Sequence, residues 1–484
     1  MAAEQYSATR GLSVRRLPEP KENPFCFRLQ WTPLRCLQVA FGALVILPIR
    51  LTLVLLLVLP VTILCKLVAV TMPTSAEGIK YHLPWQRLLV KVALSNICGR
   101  LMLWSFGFPW LRTIGKQASF DEAPIVVGSP HTSIFDAFVL GYHVAGSYVS
   151  LESNRKYLLL GDLLTATETI WVNEKNTEDS VAEFRKRLKS DRQSSPIVFF
   201  PEGTVHGPGV LTEFKLGAFK YGLPVQPVFL HFDTEPGWIF WSYYRSIPAA
   251  LLQTMSILYN PITLQFLPVY KPSEAEKQDP QLYARNFQRT IAEQMDHEVS
   301  LHSRQDMHLT GFAVDYGLPA WVGNVEYVLM RDTFRLNLNQ LKILLKRFAA
   351  LDSDKDGFIT CEDFTADLKW PAREGVSEFF RICDTASRGK ITFREYAIAY
   401  ADLMRPFEND SAFVDEAFET LTVAATQVSK SVKDAQLSVY RTWLKESAAD
   451  EEVLSSDDFK QLVSKKPELL VLVSLLSALS KKKS

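Results

Sequence analysis

The chain has 484 residues and a formal net charge of zero, from 53 basic and 53 acidic side chains. A chain of this length is expected to form two or three domains, and its balanced charge gives no overall field that would attract nucleic acid. The six cysteines are scattered without a C-x-x-C pair, which argues against a zinc site or a disulfide framework and suits a reducing compartment. The sequence has no G-x-S-x-G segment, which weighs against a serine hydrolase.

An apolar run near the start of the chain predicts a membrane element. Residues 1–37 are polar, lack a cleavable signal-peptide pattern and are expected to be a flexible cytosolic lead-in. Residues 39–65 are almost wholly apolar apart from Arg50, and they are long enough to cross a bilayer once. A re-entrant hairpin of two shorter arms, 39–49 and 51–65, is the alternative. Because a charge in mid-membrane costs about 2.5–3.5 kcal/mol, Arg50 is expected at an interface or against protein.

An amphipathic segment follows this run. Residues 83–112 alternate apolar stretches with four basic residues and carry three tryptophans. This pattern is typical of an element that lies flat on a bilayer beside anionic head groups, and an amphipathic helix that covers a sheet is the alternative. Residues 38–112 are therefore predicted to form the membrane-anchoring and interfacial helices.

A histidine and an aspartate follow the first predicted strand of the next region. The candidate strand Ile125–Val127 breaks at Pro130 and delivers His131 to a turn. Five residues rotate helical side chains by about 140°, so His131 is expected ahead of a helix that carries Asp136. There the carboxylate could bond one ring nitrogen and leave the other free to take a proton from a hydroxyl. A histidine that only caps the helix is the alternative.

A second predicted strand ends in an acidic residue. The segment Ile197–Phe200 is followed by Pro201-Glu202-Gly203-Thr204, which stands where α/β sheets bind ligands but alone also fits an ordinary turn. From 121 to about 300, strand and helix patterns alternate, which predicts an α/β sheet with helices packed on it. The strand candidates are Ile125–Val127, Tyr157–Leu160, Ile197–Phe200, Pro224–Leu230 and Thr263–Leu267.

Together these segments resemble the glycerolipid acyltransferase family, which includes the 1-acylglycerol-3-phosphate and lysophosphatidylcholine acyltransferases. The similar segments are 131–136, 200–204, 214–219, 223–228 and 266–273. The last of them, Phe-Leu-Pro-Val-Tyr-Lys-Pro-Ser, is similar to the lysophosphatidylcholine branch. The resemblance covers about residues 85–300, and residues 113–300 are therefore expected to be the acyltransferase domain.

The resemblance implies a membrane-bound enzyme that transfers a fatty acyl group from acyl-CoA to the free hydroxyl of a lysophospholipid, with lysophosphatidylcholine as the expected acceptor. His131 would be the general base and Asp136 its orienter, and the hydroxyl would attack the thioester directly without an acyl-enzyme. The segment Glu202–Thr204 would contact the glycerol and phosphate region of the acceptor, with Lys215 as a nearby positive group.

One block departs from the family pattern. The family has an apolar pair followed shortly by an arginine that helps to hold the acceptor's phosphate. This chain reads Trp-Val-Asn-Glu-Lys at 171–175, and the first arginine after this block is Arg185. Lys175 lacks the bidentate fork of arginine, so the identity of the acceptor stays open, with lysophosphatidic acid or another lyso head group as the alternative.

Beyond a polar linker at 301–325 the class of pattern changes. Residues 352–363 match the twelve-residue loop of an EF-hand and follow an amphipathic helix pattern. The expected calcium ligands are Asp352, Asp354, Asp356, the carbonyl of Phe358, Thr360 and Asp363. Aspartate replaces the usual bidentate glutamate at the twelfth position, so a weak or regulatory calcium ion is expected, with magnesium as a competitor.

A second loop, beginning at Asp384, keeps the glycine, isoleucine and final glutamate of the pattern. Its third and fifth positions are Ala386 and Arg388, so two ligands are lost and a positive charge stands where an ion would bind. We expect it to be a structural mate, with Ile359 and Ile391 pairing between the loops. Residues 326–405 are thus assigned to an EF-hand pair.

Residues 406–484 are predicted to be a helical region with a basic tail. The apolar run 469–479 is too short to span a bilayer. Lysines 481–483 resemble the dilysine retrieval signal of endoplasmic reticulum membrane proteins, and a chance basic tail is the alternative. The signal would imply a location in the endoplasmic reticulum membrane, or the Golgi, with coat-protein recognition of the lysines and a cytosolic EF-hand domain.

The predicted architecture is an α/β acyltransferase sheet with flanking helices, an N-terminal membrane helix or hairpin, and a C-terminal all-α EF-hand domain. Two functions from other classes stay open. One is a catalytically weak, calcium-responsive membrane adaptor, and the other is a thioesterase or lipase that uses water.

Overall fold

The structure is a computed structural model. It describes residues 14–26, 31–74, 80–157, 160–173, 178–189, 195–232, 239, 242–243, 246–368, 373–404, 414–415, 418, 456–466 and 468–469. The chain divides into two compact units. One unit is Pro24–Arg304, and the other joins Met1–Asn23 to Gln305–Ser484.

A seven-stranded sheet runs through the unit Pro24–Arg304. Its strands are β1 Leu111–Ile114, β2 Ile125–Ser129, β3 Ser147–Leu151, β4 Ile170–Val172, β5 Ile197–Phe199, β7 Val225–Phe232 and β8 Ile262–Phe266. They lie in the order β1-β8-β7-β2-β5-β3-β4, and every neighbouring pair is parallel except β7 with β8. A separate parallel pair joins β6 Val210–Leu211 to β9 Glu298–Val299.

Eight helices, apart from short 3-10 helices, are described in this unit. They are α1 Pro33–Thr71, α2 Pro84–Ser105, α3 Asp136–His143, α4 Leu160–Ala166, α5 Glu178–Lys189, α6 Ile247–Ser256, α7 Glu274–Gln278 and α8 Pro280–Met295. The central strands send alternate side chains into two apolar layers, as the two-residue period of a strand requires. Val126 and Val198 pack in one layer with Leu140 of α3, whereas Ile125 packs in the other with Phe287 of α8. Helices therefore cover both faces and leave the loops after β2 and β5 at one edge of the sheet.

Four of the five predicted strands are present, and one prediction is wrong. A strand was expected at 157–160, but Glu152–Lys156 forms a 3-10 helix and α4 begins at Leu160. A short apolar run such as Tyr-Leu-Leu-Leu does not distinguish a strand from a buried helix by its pattern alone. The strand of this region is β3, which ends six residues before Tyr157.

Helix α1 is one continuous helix of 39 residues rather than a hairpin of two arms. Thr32 caps it by accepting a hydrogen bond from the Arg35 N–H, and the helix continues through Pro48 and Pro60. At 1.5 Å per residue it is about 58 Å long, which exceeds the roughly 30 Å hydrocarbon core of a bilayer. By length and composition, both α1 and α2 qualify as membrane-spanning helices.

The second unit contains two consecutive helix–loop–helix segments. Its helices, from its first to its last described segment, are α9 Arg304–Asp315, α10 Tyr327–Phe334, α11 Leu338–Leu351, α12 Cys361–Leu368, α13 Arg373–Cys383, α14 Phe393–Ala399 and α15 Ser456–Lys465. Ile359 N–H donates to the Ile391 carbonyl at 3.0 Å, and Ile391 N–H donates back at 2.8 Å. This is the pairing between loops that the sequence predicted.

Two segments that the sequence assigned to irregular chain make specific contacts in this unit. Within the predicted flexible segment 1–37, Arg15 pairs with Asp402 at 2.6 Å. Within the predicted linker 301–325, α9 buries Leu309 in the apolar core. Both differences arise from partners that lie far away along the chain, which local composition does not reveal.

Several predictions fall on residues that the structure does not describe. Lysines 481–483 and the apolar run 469–479, apart from Leu469, lie outside the described residues, as does most of the predicted helical region 406–484.

Candidate active site

His131 and Asp136, which the sequence predicted to interact, are brought together at the end of β2. His131 lies in the loop between β2 and α3, and Asp136 is the first residue of α3. The Asp136 Oδ2 atom lies 2.8 Å from His131 Nδ1, and it also accepts hydrogen bonds from the Thr132 and Ser133 N–H groups at 2.9 and 3.0 Å. A carboxylate on Nδ1 fixes the ring tautomer with its proton there, so Nε2 is the nitrogen able to accept a proton.

The surroundings of this pair hold the ring in one orientation. The His131 ring stacks on Phe200 with a centroid distance of 4.3 Å. Asp136 is fully buried, whereas His131 keeps 18% of its side-chain surface exposed. Burial raises the pKa of Asp136, and the bonds from the His131 ring and from the Ser133 and Thr132 N–H groups oppose that rise. The buried Asp136 therefore holds the His131 ring so that Nε2 faces the surface.

Glu202, which the resemblance expects to contact the acceptor, does not face outward. Its side chain is completely buried. Oε1 accepts hydrogen bonds from Ser129 Oγ at 2.9 Å and from the His131 N–H at 3.1 Å, while Oε2 accepts from Thr212 Oγ1 at 3.3 Å. Ser129 lies in β2, His131 lies in the loop after it, and Thr212 directly follows β6. Glu202 therefore connects the His131 loop to the end of β5.

His206 is a residue of this site that the sequence reasoning missed. Its ring is completely buried, with Nε2 bonded to Glu202 Oε2 and Nδ1 lying 2.6 Å from the Gly207 carbonyl. Its backbone N–H donates to the His131 carbonyl at 3.0 Å. The only sequence signal was a histidine four places after Glu202.

The contact between Glu202 and His206 shifts the pKa of each partner toward its charged form. Burial lowers the pKa of His206, but the negative charge and hydrogen bond of Glu202 outweigh this effect and raise it. Burial raises the pKa of Glu202, but His206 and the Ser129 hydroxyl together lower it. A buried, hydrogen-bonded glutamate–histidine pair therefore lies directly behind the backbone of His131.

The other predicted substrate-binding residues lie in or beside the loop that follows β5. Gly203 has a φ of +68°, and a Cβ atom there would come within 2.8 Å of Lys215 Cε. Lys215 is exposed, and its N–H donates to the Pro201 carbonyl at 2.8 Å. Thr204 is half-buried beside them. The structure thus brings Lys215 next to Gly203, and Thr204 follows Gly203 in the chain.

The block that departs from the family pattern follows β4. Trp171 lies in β4, and the Arg155 guanidinium carbon lies 5.4 Å from its ring centroid. Glu174 and Lys175 lie outside the described residues. An arginine is therefore present beside this block in space, although the sequence places none directly after it.

A cavity of about 410 Å³ lies apart from these residues. Its walls include Leu94 of α2, Tyr142 of α3, Leu164 of α4 and Pro196, which precedes β5. Neither His131 nor Glu202 lines it. Since Pro196 and the last turn of α3 lie at the edge of the sheet opposite the end of β2, the cavity belongs to a different region from the candidate active site.

The predicted metal ligands converge in the other unit. Ligand atoms of Asp352, Asp354 and Asp356 lie within 4.8 Å of one another. Asp352 is fully buried, and its Oδ1 atom has no hydrogen-bond partner among the described residues. Burial raises the pKa of Asp352, the Gly357 N–H opposes the rise, and the neighbouring aspartates add to it. This arrangement of carboxylates fits a divalent cation.

The twelfth-position aspartate is engaged within the loop. Asp363 Oδ2 accepts hydrogen bonds from the Thr360 N–H and hydroxyl at 2.9 and 2.7 Å, and Oδ1 accepts from the Ser353 hydroxyl at 2.8 Å. Thr360 and Asp363 therefore bond to each other at the start of α12. The N–H of Phe358, whose carbonyl is the remaining predicted ligand, donates to Asp356 Oδ1 at 2.8 Å.

Comparison with known proteins identifies the class. The family model described as Acyltransferase matches residues 111–231, so the span that carries His131, Asp136 and Glu202 is an acyltransferase domain. The chain is 30% identical over 473 residues to lysophosphatidylcholine acyltransferase 2 of Homo sapiens, covering 93% of this chain and 84% of that protein. It is 31% identical over 413 residues to lysophosphatidylcholine acyltransferase 1 of Mus musculus, covering 84% and 76%.

One solved structure is also similar. The 1-acyl-sn-glycerophosphate acyltransferase of Thermotoga maritima aligns with 54% of this chain and 98% of its own, at 17% identity and a TM-score of 0.35. The chain belongs to the acyltransferase family, in the branch of the lysophosphatidylcholine acyltransferases. Its candidate membrane helices α1 and α2 fit a membrane-bound protein.

Proposed function

We propose that the chain transfers a fatty acyl group from acyl-CoA to the free hydroxyl of lysophosphatidylcholine, and that His131 and Asp136 carry the reaction. The observation that supports this most is the 2.8 Å contact between His131 Nδ1 and Asp136 Oδ2 at the end of β2, which leaves Nε2 for the substrate. The names of the relatives support lysophosphatidylcholine as the acceptor.

The residues present account for each proton in the transfer. His131 Nε2 takes the proton of the acceptor hydroxyl while the hydroxyl oxygen attacks the thioester carbonyl carbon. The new C–O bond forms, the C–S bond breaks, and the proton passes from His131 to the departing CoA sulfur. Asp136 stabilises the positive ring between these two proton transfers. No acyl-enzyme forms, because the hydroxyl is itself the nucleophile.

The acceptor would be held beside Gly203. Gly203 and Thr204 border the loop that carries Glu202, and the exposed Lys215 supplies a positive charge next to them. Glu202 has both oxygens bonded to protein groups. We therefore propose that Glu202 positions the His131 loop, while Gly203, Thr204 and Lys215 contact the glycerol and phosphate region.

The test compares two histidines of the same region in full-length chain reconstituted in vesicles. His131→Ala should lower turnover by roughly 10²–10⁴-fold, as expected for the loss of a positioned base. His143→Ala, in the last turn of α3, should leave turnover near the wild-type value, because it lies at the other end of the helix. Wild-type turnover in a folded His131→Ala chain would contradict the mechanism.

A panel of lysophospholipids with labelled acyl-CoA tests the acceptor. We expect the highest kcat/KM with lysophosphatidylcholine. Preference for lysophosphatidic acid would keep the reaction and change the acceptor. Free fatty acid as the main product would indicate a thioesterase, and no turnover with any lysolipid would favour the adaptor function.

We further propose that the loop 352–363 binds one calcium ion. The three converging carboxylates and the unpartnered Asp352 Oδ1 support it. Asp352, Asp354 and Asp356 would hold the ion, with the Phe358 carbonyl, Thr360 and Asp363 completing the set. Because aspartate stands at the twelfth position in place of the bidentate glutamate, the calcium affinity should be in the weaker range, about 10⁻⁵ M or poorer, with magnesium competing.

Titration calorimetry on the full chain tests this proposal independently of catalysis. One site per chain is expected, and Asp352→Ala should abolish it. The control Glu362→Ala changes an acidic residue of the same loop that is not among the proposed ligands and should leave binding intact. Submicromolar affinity, or two sites per chain, would contradict the reasoning.

The location of the protein is a separate proposal. We propose the endoplasmic reticulum membrane, or the Golgi, with the helix–loop–helix pair in the cytosol and the C-terminal lysines read by coat proteins. The resemblance of residues 481–483 to a dilysine signal supports it. Replacing Lys481 and Lys482 by serine should move the full chain onward from the endoplasmic reticulum in cell imaging, and an unchanged location would contradict the signal.

A further inference from the structure

An arginine in the apolar helix α1 is bonded to the end of α6. The side chain of Arg50 is only 4% exposed. Its Nη1 donates to the carbonyls of Met255 and Ile257 at 2.7 and 2.5 Å, and its Nη2 donates to the carbonyl of Leu258 at 2.7 Å. Helix α6 ends at Ser256, so the guanidinium binds its last turn and the two residues that follow.

Within a bilayer, both the Arg50 guanidinium and the carbonyls at the end of α6 need a hydrogen-bond partner from the protein. The last carbonyls of a helix have no partners within the helix and carry its negative end. In water they would be solvated, whereas in hydrocarbon both they and a lone arginine are costly and must be satisfied by protein. Arg50 and the α6 terminus satisfy each other without water.

The position of Arg50 along α1 supports that depth. Arg35 lies 15 residues before it and Lys66 lies 16 residues after it, which correspond to about 22 and 24 Å along the helix axis. These flanking charges are thus separated by about the 40–45 Å of a bilayer with its head groups. If α1 spans, Arg50 lies near the middle of the hydrocarbon.

The backbones of α1 and α6 are in direct contact, so the two helices share a depth. A Cβ atom at Gly42 would overlap the Ser256 carbonyl oxygen. Small residues that allow such close approach are typical of helix pairs within membranes. Gly42 precedes Arg50 by eight residues, or about 12 Å, so the end of α6 contacts α1 along its central apolar part.

Other polar side chains here are also satisfied locally. The hydroxyls of Thr254 and Ser256 donate to the carbonyls of Ala250 and Leu252, four residues earlier in α6, at 2.8 and 2.7 Å. Thr52 in α1 does the same to Pro48 at 2.8 Å. Such bonds to the preceding turn allow a hydroxyl to lie in surroundings without water.

The outer side chains of this segment are apolar. The exposed fractions are 50% at Ile247, 43% at Leu252, 71% at Leu258 and 44% at Tyr259. The helix α1, against which α6 packs, also has apolar outer side chains, of which Leu44, for example, is 80% exposed. A single isolated residue of this kind would be ordinary, but several of them on a helix that packs against an apolar membrane helix indicate a membrane contact.

We infer that residues 247–259, helix α6 with the turn after it, are embedded in the same bilayer as α1 and contact its acyl chains. The acyltransferase domain therefore carries a membrane-inserted element of its own. Because α6 connects β7 to β8, this element attaches the sheet itself to the bilayer.

The test uses spin labels on the full chain in phosphatidylcholine vesicles, with the native cysteines other than buried Cys65 and Cys383 replaced by serine. Labels are placed at Leu252→Cys and Leu258→Cys. Leu55→Cys is the lipid reference on α1, where the residue is 73% exposed, and Glu274→Cys is the water reference on α7, where the side chain is 84% exposed. Labels at 252, 258 and 55 should collide more often with oxygen than with a water-soluble nickel complex, and the label at 274 should show the reverse.

Nickel-dominated collision at both 252 and 258, matching 274, would overturn the inference. A second measurement needs no substitution and so stands even if a labelled variant fails to fold. The unmodified chain is irradiated in vesicles that contain a phosphatidylcholine with a diazirine in its acyl chain, and the crosslinked peptides are mapped. Crosslinks should appear within 247–259 as well as in α1, and crosslinks in α1 with none in 247–259 would equally overturn the inference.

Discussion

Replacing His206 by alanine tests whether the buried Glu202–His206 pair supports catalysis by holding His131 in position. The change removes the charged partner of Glu202 and leaves its carboxylate buried, with only the neutral donors of Ser129, His131 and Thr212. Removing one member of a buried pair costs about 3–5 kcal/mol, because the remaining charge is uncompensated. Folding free energies are about 5–15 kcal/mol, so the variant should fold with a clearly lower Tm.

The pH dependence of this loss has a defined sign. The pKa of folded His206 is raised above its ordinary 6.5, so its contribution is fully present below pH 6.5 and is lost as pH rises through the folded value. The pKa of folded Glu202 is lowered below 4.5, so its contribution is present above pH 4.5 and is lost as pH falls through the folded value. The stability difference between wild type and His206→Ala should therefore be largest between pH 4.5 and 6.5 and shrink as pH rises through the folded pKa of His206.

A double-mutant cycle with a matched control makes the assay decisive. Thermal unfolding in detergent is measured for His206→Ala, Glu202→Gln and the double variant, and kcat and KM are measured in vesicles. The control is His82→Ala, because His82 also faces a buried glutamate, with Nδ1 3.2 Å from Glu168, but lies outside the His131 loop. Both histidine variants should lose stability, and only His206→Ala should also lose kcat.

Two results would refute this reasoning. If the effects of the His206 and Glu202 changes add within about 0.5 kcal/mol, the two residues are not coupled. If His206→Ala and His82→Ala lower kcat equally, the loss reflects general destabilisation rather than the position of His131.

Three further changes have defined outcomes. Arg50→Leu removes the donor of three hydrogen bonds, to the carbonyls of Met255, Ile257 and Leu258. At about 0.6–1.7 kcal/mol for each hydrogen bond in a membrane, the variant should lose roughly 2–5 kcal/mol of folding free energy. A Tm equal to that of the wild type would contradict this. Asp363→Glu should restore bidentate ligation and tighten calcium over magnesium in calorimetry, and an unchanged ratio would contradict the loop assignment. Gly203→Ala adds backbone strain of about 1–2 kcal/mol and a close contact with Lys215. It should therefore lower turnover more than the control Gly209→Ala, which adds the strain without the contact. Equal turnover of the two variants would argue against a role for the Gly203 loop in binding.

The part of the site that sequence reasoning predicted well is the part that is local in sequence. His131 and Asp136 are five residues apart, and strand-ending and helix-starting signals between them were sufficient to place the ring against the carboxylate. Glu202 was found by its motif, but its direction was not. Its partners, Ser129 and Thr212, come from other segments, and only packing brings them to one buried point.

The membrane region has the same division between local and distant causes. The apolar run of α1 and the cost of a mid-membrane charge predicted that Arg50 lies at an interface or against protein. Choosing between them required Met255 and its neighbours, which lie more than 200 positions away. The hairpin alternative divided the apolar run at Arg50, but α1 continues through that residue and through Pro48 and Pro60.

The second loop of the helix–loop–helix pair is held together by hydrogen bonds and ion pairs among its own residues. Both oxygens of Asp384 accept hydrogen bonds from the N–H groups of Arg388 and Gly389, at 3.0 and 2.7 Å. The Arg388 guanidinium pairs with Glu395 at 2.7 Å and with Glu19 at 2.8 Å, so the glutamate that would close on a metal closes on an arginine. Because this loop also pairs with the first through Ile391 and Ile359, the first loop has an ordered partner before it binds anything. The one ion proposed per chain would therefore be held by the first loop, with the second loop as its ordered partner.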